Sequence, residues 1–300
     1  MQHDHISPDA DARTYHQPVM LEEVLCGLDV REGGNYIDCT LGDAGHAMAI
    51  LERNGDGRLL GLDADPEATA TCRQRLARFG GRAVVVNANF EDLEPIAQAH
   101  GFVPADGVLF DLGLSSRQLD AEERGFSFRR ADPLDMRFTP SASATAADIV
   151  DTSSEEELAD ILYQFGEEPR SRRIARAIAA ARPIANTMEL AEVVRRASGY
   201  GRGRTHPATR TFQALRIAVN REMERLEAGL ASTGRVLAHG GRMAVIAYHS
   251  GEDRIVKRFL EREQGMGFRR LTKKVIKPSS VEVRQNRRAR SARLRLAERV

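Results

Sequence analysis

The chain is poor in cysteine. Cys26, Cys39 and Cys72 are odd in number and form no C-x-x-C pair, which excludes a disulfide framework and a cysteine zinc site and fits a reducing compartment. No metal site is expected. No apolar run reaches the length of a membrane span. Met1–Thr14 is polar and acidic and lacks the apolar stretch of a signal peptide, so it reads as a disordered leader. A cytoplasmic protein without a membrane partner is expected. There is no internal repeat. The net charge of +1 gives no overall attraction to polyanions. The charge is unevenly placed, however. Between Arg269 and Arg299 twelve Lys/Arg stand against Glu282 and Glu298. Such a segment is either a surface for a polyanion or a solvated basic tail.

What the chain has is a glycine turn between two acids. In Tyr36-Ile-Asp-Cys-Thr40 a short apolar run ends in Asp38, and the chain then turns through Gly42 and Gly45 into a helical pattern. Asp63 ends a second apolar run twenty-one residues after Gly42. Strand, glycine turn, helix, strand and acid is the arrangement that holds an adenosine-type cofactor, the acid accepting from ribose hydroxyls. The G-x-G-x-x-G of dinucleotide enzymes is missing. Gly42-Asp-Ala-Gly45 is looser and favours a nucleoside cofactor without pyrophosphate, S-adenosyl-L-methionine above all. An ordinary strand–helix turn with a solvent-facing acid is the plain alternative.

Strands are predicted at Tyr36–Thr40, Leu59–Asp63, Ala83–Asn87 and Gly107–Asp111. Helices are predicted at Ala44–Arg53, Pro66–Arg78 and Glu91–Ala99. This alternation implies a parallel sheet covered on both faces. From Leu114 to about Thr205 the pattern turns helical, with Glu155–Phe165, Arg170–Ala181 and Thr187–Ala197 amphipathic. Thr187 is the expected cap of the last. Gly199–Gly203, with Arg202 and Arg204, reads as a basic loop. Thr209–Ala231 is predicted as one long helix, Met243–Tyr248 as a strand and Glu252–Glu263 as a helix. Phe268–Ile276 and Ala292–Glu298 would form a closing antiparallel pair. The fold class is α/β, a Rossmann-like methyltransferase sheet (residues 15–113 and 206–300) interrupted by a helical insertion (114–205). In an open parallel sheet, ligands sit beyond the carboxyl ends of the strands. Asp38, Asp63, Asp111 and His249 each stand at such an end.

The chain resembles the bacterial 16S ribosomal RNA (cytosine-N4)-methyltransferases from about His16 to its end. The resemblance lies in His16-Gln-Pro-Val-Met-Leu, Asp38-Cys-Thr-Leu-Gly-Asp-Ala-Gly-His46, Asp63-Ala-Asp-Pro66 and Asp111-Leu-Gly-Leu-Ser-Ser116. It continues through Glu123-Arg-Gly-Phe-Ser-Phe128, Pro133-Leu-Asp-Met-Arg137, Gly166-Glu-Glu168 and His206-Pro-Ala-Thr-Arg-Thr-Phe-Gln-Ala-Leu-Arg216. It ends with His249-Ser250, Glu252-Asp-Arg-Ile-Val-Lys257 and Asn286-Arg-Arg-Ala-Arg-Ser291. The resemblance implies S-adenosylmethionine as cofactor and small-subunit ribosomal RNA, free or assembled, as partner, with a target near the decoding centre. It also implies cofactor contacts at Ala44, Gly45, His46, Asp63, Phe90, Asp111 and Gln118. The family commonly has Gly where Ala44 stands, which suits this chain if φ there is negative. Gly251 replaces a larger apolar residue.

Asp111 is the candidate catalytic residue. It orients either the target amine or the methionine amino group, the second being preferred. Ser115, Ser116, Arg137, His249 and Ser250 are candidate substrate contacts, and Arg124, Phe126 and Phe128 flank them. A strand-end histidine bonded to backbone is the rival reading of His249, and helical packing that of the phenylalanines. His206, Thr209 and Arg210 either face RNA or begin the long helix. The Pro-Pro-aromatic tetrapeptide of DNA amino-methyltransferases is replaced by Asp111-Leu-Gly-Leu. A nicotinamide dehydrogenase would need a pyrophosphate loop that is missing. A non-catalytic RNA-binding module would leave the strand-end acids unexplained. Monomer and homodimer both stay open.

Overall fold

The computed structural model describes residues 17–140, 144–199 and 206–300. The expected leader, His16 and the loop with Arg202 and Arg204 lie outside them. In chain order the elements are α1 (Leu21–Gly27), β1 (Asn35–Asp38), α2 (Gly45–Arg53), β2 (Arg58–Asp63), α3 (Pro66–Leu76), β3 (Ala83–Asn87), α4 (Leu93–Ala99), β4 (Ala105–Asp111) and α5 (Ser116–Asp120). A helical stretch follows: α6 (Ala146–Thr152), α7 (Glu155–Gln164), α8 (Ser171–Ala181), α9 (Thr187–Ser198), α10 (Thr209–Asn220) and α11 (Glu222–Val236). Then come β5 (Leu237–Ala247), α12 (Ser250–Arg262), β6 (Phe268–Arg270), α13 (Ser280–Gln285) and β7 (Arg293–Arg299).

The sheet has seven strands in the order β3-β2-β1-β4-β5-β7-β6. Pairing is parallel from β3 to β5 and antiparallel through β7. Side chains alternate between two apolar layers, as strand geometry requires. Val108, Phe110 and Val245 pack on the face of α4, α11 and α12, and Leu109, Ala244 and Ile246 on the face of α1 and α2. Both faces are covered, so the strands read as continuous apolar runs. The chain order reverses between β1 and β4, and the crevice at that switch point is where an open sheet takes a ligand.

The helices beyond Leu114 build a third apolar cluster around Leu134, Val150, Leu162, Ile178 and Val194. Phe212 and Leu215 of α10 belong to it, so by packing α10 sides with the helical unit. Thr145–Asp148 and Ser154–Glu157 capping boxes start α6 and α7. Among the described residues no helix is long and apolar enough to cross a membrane.

Three expectations are corrected. The helix predicted over 209–231 is broken at Arg221, which is left-handed (φ 49°). At the break, the Asn220 amide ties the end of α10 to the loop before α6: its Oδ1 accepts from Phe138 N at 2.8 Å, and its Nδ2 donates to Met136 O at 2.7 Å and to Arg216 O of the helix at 2.9 Å. Thr187 does not cap α9. Asn186 does, because the Thr187 hydroxyl is taken by Arg130 O at 2.6 Å and Asp132 N at 3.1 Å. The strand predicted over 268–276 stops at Arg270. Lys273 and Lys274 are exposed, and pairing returns only as an Ile276–Leu294 bridge. Lysines at a sheet edge deter further pairing.

Candidate functional site

A cleft of about 1170 Å³, its open mouth included, lies at the carboxyl ends of β1, β2, β4 and β5. Asp63 faces it from β2. Both carboxylate oxygens hold backbone: Oδ2 accepts from Gly42 N at 2.8 Å and Oδ1 from Asp65 N at 2.9 Å. The acid thus fixes the glycine turn whose far side forms the cleft. Burial raises its pKa to about 6, against the pull of those amides. Asp38 is buried behind the turn and accepts from Thr40 N at 3.0 Å. Burial lifts it to about 7, and Asp111 and Asp63 add repulsion.

Gly42 is left-handed (φ 51°), as a tight turn there needs. Ala44 is left-handed as well (φ 60°), so the condition of a negative φ at that position is not met. Ala44 is the N-cap of α2, and its N–H donates to Leu41 O to close the tight turn through Gly42 and Asp43. Ala44 is fully buried in the apolar layer and does not line the cleft, whereas Gly45 and His46 do. A Cβ on Gly45 would stand 2.4 Å from Pro18 Cγ. The Gln17–Val19 segment crosses there and forms one wall of the cleft.

Phe90 lines the far side, its ring edge-on to Phe110 at 5.6 Å. Gln118 also lines it, but both ends of its amide are engaged. Oε1 accepts from Ser115 N at 3.0 Å, and Nε2 donates to Asp65 Oδ2 at 3.2 Å. Ser115 faces the cleft as the cap of α5, and Ser116 is the first residue of that helix. Arg124 bridges Asp65 (3.0 Å) to the carbonyls of Arg137 and Phe138 and so ties the helical unit to β2.

Asp111 ends β4 in the cleft. Its N–H donates to Thr40 Oγ1 at 2.6 Å, and its Oδ1 accepts from the Tyr248 hydroxyl at 2.7 Å. Oδ2 stands 3.6 Å from His46 Nδ1, and His46 Nε2 bonds Val19 O at 3.0 Å. Burial raises the Asp111 carboxyl, while His46 and Tyr248 draw it down. The Tyr248 phenol is pushed well above its ordinary value by burial and by Asp111. Arg288 reaches the same wall and donates to Leu114 O.

The structure does not bring every candidate into the cleft. His249 caps α12, its Nδ1 accepting from Glu252 N at 3.4 Å, and lies outside the lining. Ser250 donates to Glu167 Oε2 at 2.5 Å, across to the helical unit. Arg137 is clamped by Asp135 at 2.7 Å and by Pro140 O at 2.8 Å. Phe126 is buried in the helical cluster, and Phe128 stacks on exposed His206 at 4.6 Å. A Cβ on Gly251 would lie 3.1 Å from His249 Nδ1, so a larger residue needs that ring to shift slightly.

Sequence reasoning missed several cleft residues: Tyr248, Asn220, Glu222, Met223, Glu252 and Arg288. Glu222 is half of a bidentate pair with Arg216 (2.7 and 2.8 Å). Burial raises its carboxyl despite Arg216. Glu252 accepts from Tyr248 N at 2.7 Å and is held low, against burial, by His249 and Arg216. The His249-x-x-Glu252 spacing of a capping box was the available signal for Glu252. Nothing local signals Arg288 or Glu222. Carboxylates, a flat ring and a hydroxyl around a deep cleft can bind a cationic nucleoside.

Residues 13–300 match the MraW methylase family. Curated relatives are each named ribosomal RNA small subunit methyltransferase H. That of Dehalococcoides mccartyi is 51% identical over 95% of this chain and 86% of its own. That of Thermomicrobium roseum is 50% identical over 96% and 94%. That of a Cyanothece species is 48% identical over 98% of both.

Proposed function

The chain belongs to the MraW methylase family, and we propose that it methylates the exocyclic N4 amine of a cytosine in small-subunit ribosomal RNA, near the decoding centre. The methyl donor is S-adenosylmethionine. The observation that carries this reading is that Asp63 and Asp111 face one cleft from either side of the switch point, with the Gly42 turn between them. Acids on two sides of a nucleoside-sized space fit ribose hydroxyls at one end and a cationic amino acid at the other. Phe90 offers the flat ring that an adenine needs.

Bound there, the cofactor supplies a methyl group on a positively charged sulfur, already activated for transfer. Asp63 would hold the ribose and Asp111 the methionine amino group. Gln118 would act by keeping Asp65 and the Ser115 turn in place. Orientation of this kind contributes as much as roughly 7–11 kcal/mol in favourable cases. The cytosine amine is a weak nucleophile because its lone pair is delocalised into the ring, so a nearby acceptor must draw it out. The carboxylates of Asp111, Glu222 and Glu252 are among the acceptors on the cleft wall. The Gln17–Val19 segment walls one side of the cleft, and it is tied down by Asn286 Nδ2 to Gln17 O (2.9 Å) and by the neighbouring Met20 N to Glu282 Oε1 (2.7 Å).

A cytosine must leave its stack to arrive there. Exposed Lys273, Lys274, Lys277, Arg284, Arg287 and Arg290 make no side-chain hydrogen bond or ion pair among the described residues and suit RNA phosphates. A ribosomal substrate puts the enzyme in the cytoplasm. The test offers labelled methyl donor with purified small subunits, free small-subunit RNA and DNA. Label on ribosomal substrate alone is expected, and the split between subunits and free RNA gives the assembly stage. Equal labelling of DNA would refute the reading.

A further inference from the structure

Asp111 is held by more than its strand. Its N–H is fixed by Thr40 and one oxygen is taken by the Tyr248 hydroxyl at 2.7 Å. The Tyr248 ring is itself seated. Its N–H donates to Glu252 Oε2 at 2.7 Å, and its Cδ2 lies 3.3 Å from where a Cβ on Gly113 would stand. Gly113 has φ 93°, so a side chain there would be strained and would also press on the tyrosine ring. The tyrosine is thus a rigid donor aimed at one oxygen of the acid, with the other oxygen turned towards His46 and the cleft.

We propose that Tyr248 is a positioning residue: its hydroxyl orients the Asp111 carboxylate and holds it ionised for the amino group of the methionine half of the cofactor. The inference builds on the cofactor reading above. A donor on one oxygen leaves the second as the acceptor for the ligand and favours the charged form of the acid. Because the phenol is pushed well above its ordinary value, it stays a donor throughout the range in which Asp111 titrates. The other titratable or charged groups facing Asp111 are Asp38 from β1, His46 from α2, Glu252 from α12 and Arg288 from the turn before β7. Asp38 and Glu252 oppose its ionisation, while His46 and Arg288 favour it.

The test compares three ligands by calorimetry on the whole protein: S-adenosylmethionine, S-adenosylhomocysteine and 5′-methylthioadenosine. The first two carry the amino group and the third lacks it. Tyr248→Phe keeps the ring over Gly113 and removes only the hydroxyl. It should weaken the first two about tenfold and leave the third within about twofold, as expected for one hydrogen bond to a charged group. The pH at which S-adenosylmethionine affinity is half lost should move upward. In an Asp111→Asn background the same substitution should cost nothing further, since the two act as one unit. Equal weakening of all three ligands, unchanged binding, or additive losses would overturn the inference. A native protein that binds none of the three would overturn the cofactor reading and the inference with it.

Discussion

The strand-end acids and the C-terminal cations are opposite solutions to placing charge. Asp38 is buried and Asp63 half-buried at the cleft wall, and desolvation lifts them to about 7 and about 6 even though backbone amides point at both. The cations that look like one run in the sequence divide in two. Arg293 and Arg295 hold Asp253 at 3.3 and 2.7 Å, Arg269 holds Glu298 at 2.5 Å, and Arg288 and Arg299 hold backbone carbonyls. Arg270 is exposed but donates to Gln264 Oε1 at 3.1 Å, and the remaining six lie exposed around them. A buried acid responds to pH, and an exposed cation responds to salt. The two surfaces should therefore fail independently.

The largest break comes from Asp63→Ala. It removes the proposed ribose acceptor and unties Gly42, so cofactor affinity should fall on the order of ten- to a hundredfold, about 1.5–3 kcal/mol. RNA affinity should not move. Calorimetry on the folded variant and RNA titration decide it, and equal cofactor affinity would refute the role.

Acid should act on the same surface with a worked sign. Asp38 and Asp63 have an ordinary carboxylate pKa of 3.8 in the unfolded chain and are raised in the fold. Their protonated forms stabilise the ligand-free fold fully below that value, and the contribution is lost as pH rises through about 6 to about 7. A cationic ligand wants them ionised. Lowering the pH through this window should therefore weaken cofactor binding, by at most about tenfold per pH unit for each proton taken up, while these groups steady the ligand-free fold. Affinity that rises on acidification would contradict this.

Salt should sharpen the other side. Charge removal at Lys273, Lys274 and Arg287 should flatten the salt dependence of RNA binding by about 0.7 in slope for each lost single-strand contact. Cofactor affinity should stay constant. Arg288 belongs to the opposite group despite its neighbours, because it reaches the Asp111 wall, so Arg288→Ala should disturb cofactor binding too. Filter binding across a salt series, beside calorimetry, separates the two.

The smallest effect is expected at Ala44→Gly. Relief of a left-handed alanine contributes roughly 1–2 kcal/mol, offset by a lost buried methyl of ~0.8 kcal/mol and by the looser unfolded chain. The net change should stay within about 1 kcal/mol and shift Tm by a few degrees at most, with cofactor affinity unaltered.

What could be read ahead of the fold was local. Asp38, Asp63 and Asp111 each end a short apolar run, so their common edge followed from strand parity and parallel pairing. Arg288 and the Gln17–Val19 wall could not be seen that way. Met20 meets Glu282 across 262 residues, and no periodicity reports such a closure. Glu222 follows the break at Arg221 in the helix predicted over 209–231, where Asn220 is tied to a loop eighty-two residues away. His249 stood at a strand end as foreseen, yet its ring was spent on capping α12.

The identity of the methylated nucleoside tests the central claim most directly. Cys39 lines the cleft, but burial holds its thiol well above the ordinary value, and Cys72 is pushed up to about 12, so neither is poised as the thiolate that attack on a cytosine ring requires. Small subunits lacking the modification, treated with enzyme and S-adenosylmethionine and digested to nucleosides, should yield N4-methylcytidine by fragmentation mass spectrometry, with the cysteine-free enzyme giving the same product. A methyl on cytosine C5, or on another base, would contradict the account.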